Sequence, residues 1–306
     1  MKKLLTLLLF ITTVMNIWSC GEIGNEVEIV DNNYSFIDFS YDELFYTYPL
    51  VYYQIYEPFK YDADSNGVIL ASLHGDWYYN PVSMSQRGIN LFDRYKKVED
   101  SLYLDYAIRH RDALINIMDE NCLFEYRINW HHRLDIFLWN PWYSGMAQGQ
   151  ALSLFSRLAY YANDSLSQNI ANEVYQTLNF NLELSREVVW VGKDGYAWIE
   201  EYPANPPDHT FNGFMFAIIG IYDYYHLLNK KDETRSVLSS YLTTIKDNMK
   251  LFRNPGTISY YCLRHHHSDT TYHKIHIQQL DYFTKITNDS SFSKFADTLR
   301  MDYWNY

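Results

Sequence analysis

Apolar residues recur every three or four positions through most of the chain beyond about residue 80, which is the spacing that gathers them on one face of an α-helix. The pattern predicts eight successive helices, within residues 82–100, 101–121, 142–162, 165–184, 211–228, 234–252, 275–287 and 291–304. We expect Ser165, Asp208 and Ser290 to cap helix starts, because their side-chain oxygens can accept from free backbone amides. Short connections favour antiparallel helical hairpins, so the predicted fold is mainly α, either a bundle or an α/α toroid.

One segment, residues 186–203, departs from helical spacing and predicts a β-hairpin with its turn at Lys193–Gly195. The hairpin ends at Tyr202 and Pro203, so it delivers Glu200, Glu201 and Tyr202 to the rim where the next helix begins. Small residues recur along that next helix, which indicates close approach of a neighbouring helix. They are Gly213, Ala217 and Gly220.

The first 70 residues are predicted to form a targeting segment followed by an extended region. A short apolar run after two lysines predicts a signal peptide over residues 1–19, and Ser19 followed by Cys20 resembles a bacterial lipobox with Cys20 as the lipidated residue. An ordinary secretory signal is the alternative. Both place the protein outside the cytoplasm, either anchored in the periplasm or outer membrane of a bacterium or secreted. We expect a tether with extended, β-prone segments over 20–70 and the main domain over 71–306.

Composition changes the picture in two respects. The formal charge of −12 disfavours nucleic acid as a partner. The 30 tyrosines and eight tryptophans are more than a core needs, and aromatic faces with polar edges suit sugar rings. A carbohydrate cleft is one interpretation, and packing between helices is the other.

Cys122 and Cys262 can pair in an oxidising compartment or lie buried as thiols, and the sequence does not decide between these.

The C-terminal third carries tyrosines, histidines and an arginine in one stretch, residues 255–280. His273 and His276 could share a helical face with a metal, but no acidic residue stands at an obvious ligand spacing, so no metal is predicted. Arg264 among tyrosines is suited to a substrate carboxylate, because its guanidinium can make a bidentate contact.

Four ordered motifs carry a resemblance to a known family. They are WYSGMAQGQALSLFSRL from Trp142, EEYPANPP with FNGFMFAIIGIYDYY from Glu200, GTISYYCLRH from Gly256 and YHKIHIQQL from Tyr272. Over about residues 75 to 300 the chain resembles the C-terminal catalytic domain of the glucuronyl C5-epimerases that act on heparan-type polysaccharides. The resemblance implies an α/α toroid and inversion of C5 in glucuronic acid units to give iduronic acid, with no cofactor. The connection before Tyr272 is shorter than in the animal enzymes, and the β-rich region ahead of the toroid is reduced.

The resemblance also implies the site. Glu201 and Tyr202 correspond to the catalytic glutamate and tyrosine of the family, and Tyr261 and Tyr272 to two further tyrosines. We assign Glu201 the role of base and Tyr272 that of the opposing proton donor, because inversion needs an acid and a base on opposite faces of one carbon. Substrate binding is assigned to Arg264, His265, His273, Gln148 and Asn212. Gln148 has an alternative role, which is to satisfy buried backbone groups.

Three other readings stay open at this level. A polysaccharide lyase abstracts the same proton, and toroid folds host lyases too. A non-catalytic glycan-binding lipoprotein would keep the aromatic cleft. A glycosidase is less favoured, because Glu201 has no motif-borne carboxylate partner. For the epimerase reading we expect a basic cleft around Arg264, a uronate polymer as partner and possible homodimers.

Overall fold

The structure, a computed structural model, describes residues 27–40, 62–133 and 135–303. Within these residues lie eight α-helices: α1 Pro81–Val98, α2 Ser101–Asn116, α3 Gly145–Tyr161, α4 Ser165–Gln176, α5 Phe211–Leu227, α6 Asp232–Asn248, α7 Thr270–Thr287 and α8 Ser290–Asp302. The eight predicted helices are confirmed, although α7 begins at Thr270 rather than at Ile275. The predicted signal peptide and Cys20 lie outside the described residues.

The predicted helix caps are each displaced. Ser165 and Ser290 are the first helical residues, and the carboxylates of Asp164 and Asp289 accept from the amides two positions on. A carboxylate also suits the positive end of the helix dipole better than a hydroxyl does. The cap position of α5 is Thr210 rather than Asp208, and it makes no side-chain capping bond.

The helices pair into four successive hairpins that form an α/α toroid. The odd-numbered helices lie inside, with α3 packed against α1 and α5, and α5 packed against α7. Nearly all residues of α3 and α5 are buried, as expected for helices that are covered on every side. The even-numbered helices present one apolar face inward and a polar face to solvent.

Glycines set the separation between α3 and α5. A Cβ added at Gly220 would lie 1.8 Å from the backbone oxygen of Gly149, and one added at Gly149 would lie 2.2 Å from the Cα of Ala217. The two helices therefore touch backbone to backbone. This confirms that the small residues of α5 serve packing.

Gly220→Ala is expected to lower the free energy of unfolding by about 1–3 kcal/mol, because the rigid backbone of α3 cannot make room for the methyl group. Gly88→Ala in α1 is the matched control, since its added methyl meets the flexible end of Leu154. Urea unfolding followed by circular dichroism measures both variants. Equal stability of the two variants would show that the backbone contact between α3 and α5 is unimportant.

Three antiparallel β-hairpins lie at one end of the toroid. They are β1 Ala71–Leu73 with β2 Asp76–Tyr78, β3 Trp130–Arg133 with β4 Ile136–Leu138, and β5 Val189–Val191 with β6 Ala197–Ile199. The third hairpin was predicted, and Gly195 occupies its turn with φ +83°. The first two were not predicted, because strands of three or four residues are too short to establish an alternating pattern.

Residues 27–40 form no regular secondary structure and lie against α5, α6 and α7. The amide of Tyr34 donates to Ser239 Oγ at 2.7 Å, and the amide of Ile37 donates to the backbone oxygen of Ile286 at 2.9 Å. Cys122 and Cys262 are both free thiols. Among the described helices, none combines the length and apolar character needed to cross a membrane.

Candidate active site

A cavity of about 310 Å³ opens at the end of the toroid where the odd-numbered helices begin. Its walls come from the first turns of α1, α3, α5 and α7, from β2 and β3, and from the end of the β5–β6 hairpin. The lining residues are Tyr78, Asn80, Val82, Ser83, Gln86, Tyr126, Ile128, Trp130, Trp142, Ser144, Met146, Glu201, Tyr202, Asn212, Phe216, Thr271, Tyr272 and Ile275. Aromatic and small polar side chains therefore make up most of the cavity wall.

Glu201 and Tyr202 enter this cavity directly after strand β6. The backbone oxygen of Glu200 accepts from Gly145 N at 2.8 Å, which ties this segment to the start of α3. Gly213 faces the Glu201 side chain, and a Cβ at Gly213 would lie 2.3 Å from Glu201 Oε2. A glycine is required there for the carboxylate to occupy its position.

The Glu201 carboxyl group is buried and shares hydrogen bonds with tyrosines. Tyr261 donates its hydroxyl to Glu201 Oε2 at 3.1 Å. Burial raises the pKa of Glu201 to about 7, although hydrogen bonds from Tyr202 and Tyr261 act in the opposite direction. Such a group can both take and release a proton near neutral pH.

Two more tyrosines complete the cluster. Tyr272 lies in the first turn of α7 and lines the cavity, and its ring centroid is 4.5 Å from that of Tyr261. Burial raises the pKa values of Tyr202 and Tyr261 well above the ordinary value of 10. Both phenols are therefore protonated at neutral pH and available as hydrogen-bond donors.

The rate of a reaction that uses Glu201 as base is expected to rise with pH and to reach half its maximum near pH 7, where the raised pKa lies. The sign follows because only the deprotonated carboxylate can accept a proton. The kcat/KM for deuterium incorporation, measured from about pH 5 to about pH 9, tests this. A profile that is flat or that falls across this range would contradict it.

Of the predicted binding residues, Asn212 lines the cavity, whereas Arg264 and His265 lie outside its lining. Arg264 donates to Asp135 at 2.6 Å and to the backbone oxygen of Pro206 at 2.5 Å. His265 lies between two carboxylates, with Nδ1 2.7 Å from Asp208 and Nε2 2.8 Å from Asp135. The expected basic cleft is not observed, since the described residues that line the cavity include no Lys or Arg.

The other two predicted binding residues are occupied with the protein itself. Gln148 is fully buried, accepts from the amide of Phe124 at 2.9 Å and donates to the backbone oxygen of Cys122 at 2.9 Å. His273 accepts from the amide of Ser259 at 2.9 Å, and its Nε2 lies 2.7 Å from the backbone oxygen of Tyr303. Contacts of this kind hold loops in place.

The side chain of Glu200 is buried, since the residue is only 3% exposed. Its carboxylate accepts from the amide of His209 at 3.0 Å, and its Oε1 lies 2.6 Å from His209 Nδ1. The ring of His209 stacks on Trp198 with centroids 4.2 Å apart. The two adjacent glutamates thus have different surroundings, because Glu200 braces the loop while Glu201 faces the cavity.

Two basic residues lie beside the site although the sequence did not predict them there. The ring of His132 stacks on Tyr202 with centroids 3.6 Å apart, and its Nε2 lies 3.2 Å from Asp208 Oδ2. The guanidinium of Arg133 lies 5.9 Å from the centroid of the Tyr261 ring. The only sequence signal was the HHR run at 131–133, in a strand too short to be predicted.

Asp208, Cys262 and His265 are the described residues whose grouping could hold a metal ion, with ligand atoms within 4.8 Å of one another. These atoms are already engaged, because Asp208 accepts from both His132 and His265. Burial would raise the pKa of the Asp208 carboxyl, but these hydrogen bonds together lower it. The separation of 2.7 Å between His265 Nδ1 and Asp208 Oδ1 is a hydrogen-bond distance.

Comparison with known proteins identifies the family. Residues 118–301 match the family described as D-glucuronyl C5-epimerase C-terminus, a range that contains Glu201, Tyr202, Tyr261 and Tyr272. The chain belongs to this family. A D-glucuronyl C5-epimerase of Caenorhabditis elegans is 29% identical, over 51% of this chain and 28% of the relative. The chain thus spans little more than a quarter of the length of that relative.

Solved structures support the toroid. The cellobiose 2-epimerase of Bacillus thermoamylovorans superposes with a TM-score of 0.52 at 12% identity, over 72% of this chain and 58% of that chain. A family 76 α-mannanase of Bacteroides thetaiotaomicron superposes with a TM-score of 0.50 at 11% identity, over 75% and 62%. At such identities the likeness concerns the fold, and both neighbours share the α/α toroid of this epimerase-family chain.

Proposed function

We propose that this chain inverts C5 of D-glucuronic acid units within a polysaccharide to give L-iduronic acid. Membership of the C5-epimerase family supports the reaction class. The observation that carries the proposal is the buried Glu201 carboxylate, which accepts a hydrogen bond from Tyr261 in a cavity that Tyr272 also lines. One site thus contains a base whose pKa lies near 7 and a separate proton donor.

The reaction uses two proton transfers at one carbon. Glu201 removes the proton from C5 and becomes a carboxylic acid, and the electron pair of the broken C–H bond moves into the adjacent carboxylate to form an enediolate. The phenol of Tyr272 then gives its proton to C5 from the opposite face. Proton exchange with water restores Tyr272 and Glu201, so atoms and charge balance without a cofactor.

The remaining tyrosines would orient the sugar. Tyr202 and Tyr261 both make side-chain hydrogen bonds with the Glu201 carboxyl group. We propose that their phenols also hold the oxygens that flank C5 of the substrate. Arg264 and His265 could reach a substrate only at the expense of their contacts with Asp135. Their role in binding the carboxylate therefore stays a prediction from the sequence.

The setting of the enzyme is also proposed from the sequence. A signal peptide with lipidation at Cys20 would anchor the protein outside the cytoplasm of a bacterium, with the uronate polymer as its partner. Homodimer formation is part of the same proposal. Mass spectrometry of the membrane fraction would test the anchor, because an unmodified Cys20 thiol in the purified chain would contradict it.

Incubation in deuterated water tests the reaction directly. The purified chain is given unsulfated heparosan, N-sulfated heparosan or chondroitin, and NMR follows the uronate C5 position. Deuterium at C5 together with iduronate signals is the expected result. Ultraviolet absorbance from an unsaturated product would instead show a lyase. Absence of exchange in every uronate polymer would contradict the proposal.

A further inference from the structure

Four helices begin at the cavity and point the positive ends of their dipoles into it. The first turns of α1, α3, α5 and α7 each contribute lining residues, among them Ser83, Met146, Asn212 and Thr271. Each N-terminus carries a partial charge of about +0.5 and favours an anion. Their convergence gives an acidic protein a site for a negatively charged ligand although no Lys or Arg is among the described lining residues.

Three of these N-termini are capped by their own side chains. Asn80 Oδ1 accepts from the amide of Ser83, Ser144 Oγ from that of Ala147, and an Asp269 oxygen from that of Thr271. These bonds satisfy one of the amides that a helix start leaves unpaired. The first turns of α1, α3 and α7 thus offer fewer free donors to a ligand.

The start of α5 lacks such a bond. Thr210 makes no side-chain capping bond, and its Oγ1 is buried without a partner among the described residues. The amide of Phe211 donates to Tyr261 and that of Phe214 to Thr210. Neither Asn212 N nor Gly213 N donates to any residue that the structure describes, so two adjacent amides are available at this end.

The side chain of Asn212 gives an independent indication of a ligand. It is 1% exposed, it lines the cavity, and its Oδ1 has no hydrogen-bond partner within the described part of the chain. Its backbone oxygen is held by Gln279 Nε2 at 3.0 Å, which fixes the residue in place. Buried polar atoms almost always have partners, so this acceptor is placed for a donor on a ligand in the cavity, such as a sugar hydroxyl.

The position of Glu201 identifies which part of the substrate would lie here. Glu201 Oε2 is so close to the first turn of α5 that a Cβ on Gly213 would be 2.3 Å away from it. A sugar whose C5 proton is within reach of Glu201 has its carboxyl carbon only about 1.5 Å from C5, the length of one carbon–carbon bond. The carboxylate of that sugar therefore falls within reach of the same turn.

We propose that the first turn of α5 is the binding site for the uronate carboxylate, through the amides of Asn212 and Gly213 and the side chain of Asn212. This inference rests on the proposed function and extends it. Neutral donors at a helix N-terminus stabilise the negative charge that grows on the carboxylate as C5 loses its proton. The side-chain amide of Asn212 offers a donor to a carboxylate oxygen and an acceptor to a ring hydroxyl, which selects a uronate over a neutral sugar.

Substitution of Asn212 by an isosteric acid tests the site. Asn212→Asp places a negative charge at the proposed position of the carboxylate, and calorimetry measures binding of a heparosan octasaccharide and of its carboxyl-reduced derivative. We expect the uronate ligand to bind at least about 10-fold more weakly, because like charges repel, while the reduced ligand binds about as before. Asn212→Leu, which removes the amide without adding charge, should lower the preference for the uronate ligand in the same direction.

Gln86→Glu is the matched control. Gln86 is another neutral amide that lines the cavity, but it lies on α1, so the substitution adds the same charge away from α5. A smaller loss of uronate binding is expected there. Thermal melting of each variant establishes that it is folded before binding is compared.

Several outcomes would overturn the inference. Equal losses in Asn212→Asp and Gln86→Glu would show general repulsion rather than a site on α5. Unchanged discrimination in both Asn212 variants, or its loss in Arg264→Gln alone, would place the carboxylate elsewhere. The proposed reaction is judged separately by deuterium exchange in the unsubstituted chain, so carboxylate selectivity without exchange would support this site while contradicting the epimerase activity.

Discussion

Glu201→Gln is expected to slow deuterium incorporation at C5 by about 10³-fold or more. Loss of a positioned general base costs typically 10²–10⁴ in rate, and the amide has no basic oxygen with which to take the proton. The amide has nearly the same shape as the carboxyl group and can still accept from Tyr261. Removal of a buried charge also removes its desolvation cost, so the variant should melt at the same temperature or higher.

The neighbouring Glu200 supplies the control for this prediction. Glu200→Gln changes a buried carboxylate in the same segment, but that group faces His209 and not the cavity. Exchange in this variant should fall far less, with any loss accompanied by a lower melting temperature. If the two variants lost activity equally, or if Glu201→Gln retained it, Glu201 would not be the base.

Arg157→Met is expected to lower the free energy of unfolding by about 3–5 kcal/mol. Arg157 on α3 is 1% exposed and donates to Asp93 on α1 at 3.1 Å and to Asp223 on α5 at 3.1 Å. The side chain of Ser153 also donates to Asp223. Loss of the guanidinium leaves two buried carboxylates without their shared cation, in the space between three inner helices.

An exposed arginine provides the comparison for Arg157. The side chain of Arg186 is 75% exposed and lies 3.1 Å from Glu183, so Arg186→Met should change the free energy of unfolding by at most about 1 kcal/mol. Urea unfolding of the two variants measures the difference. A loss below about 1 kcal/mol for Arg157→Met would show that the buried network only offsets its own desolvation.

Part of the catalytic cluster could be predicted from the sequence. The predicted hairpin placed Glu201 and Tyr202 at the rim, their catalytic roles came from motif resemblance, and both residues do line the cavity. Tyr261 and Tyr272 came from motif resemblance, and the structure places both near Glu201. The environment of Arg264 could not be predicted, because Asp135, its partner, is remote in sequence and belongs to a hairpin too short to produce a pattern.

The sequence by itself determined the eight helices, the β5–β6 hairpin and the close approach of α5 to a neighbouring helix, because periodic apolar residues, turn residues and glycines act over a few positions. Only the tertiary structure decided that Glu200 binds His209, which helix starts converge at the cavity, and that Asn212 Oδ1 has no partner among the described residues. Those features depend on contacts between residues far apart in the chain, and burial and hydrogen bonding of this kind leave no local pattern.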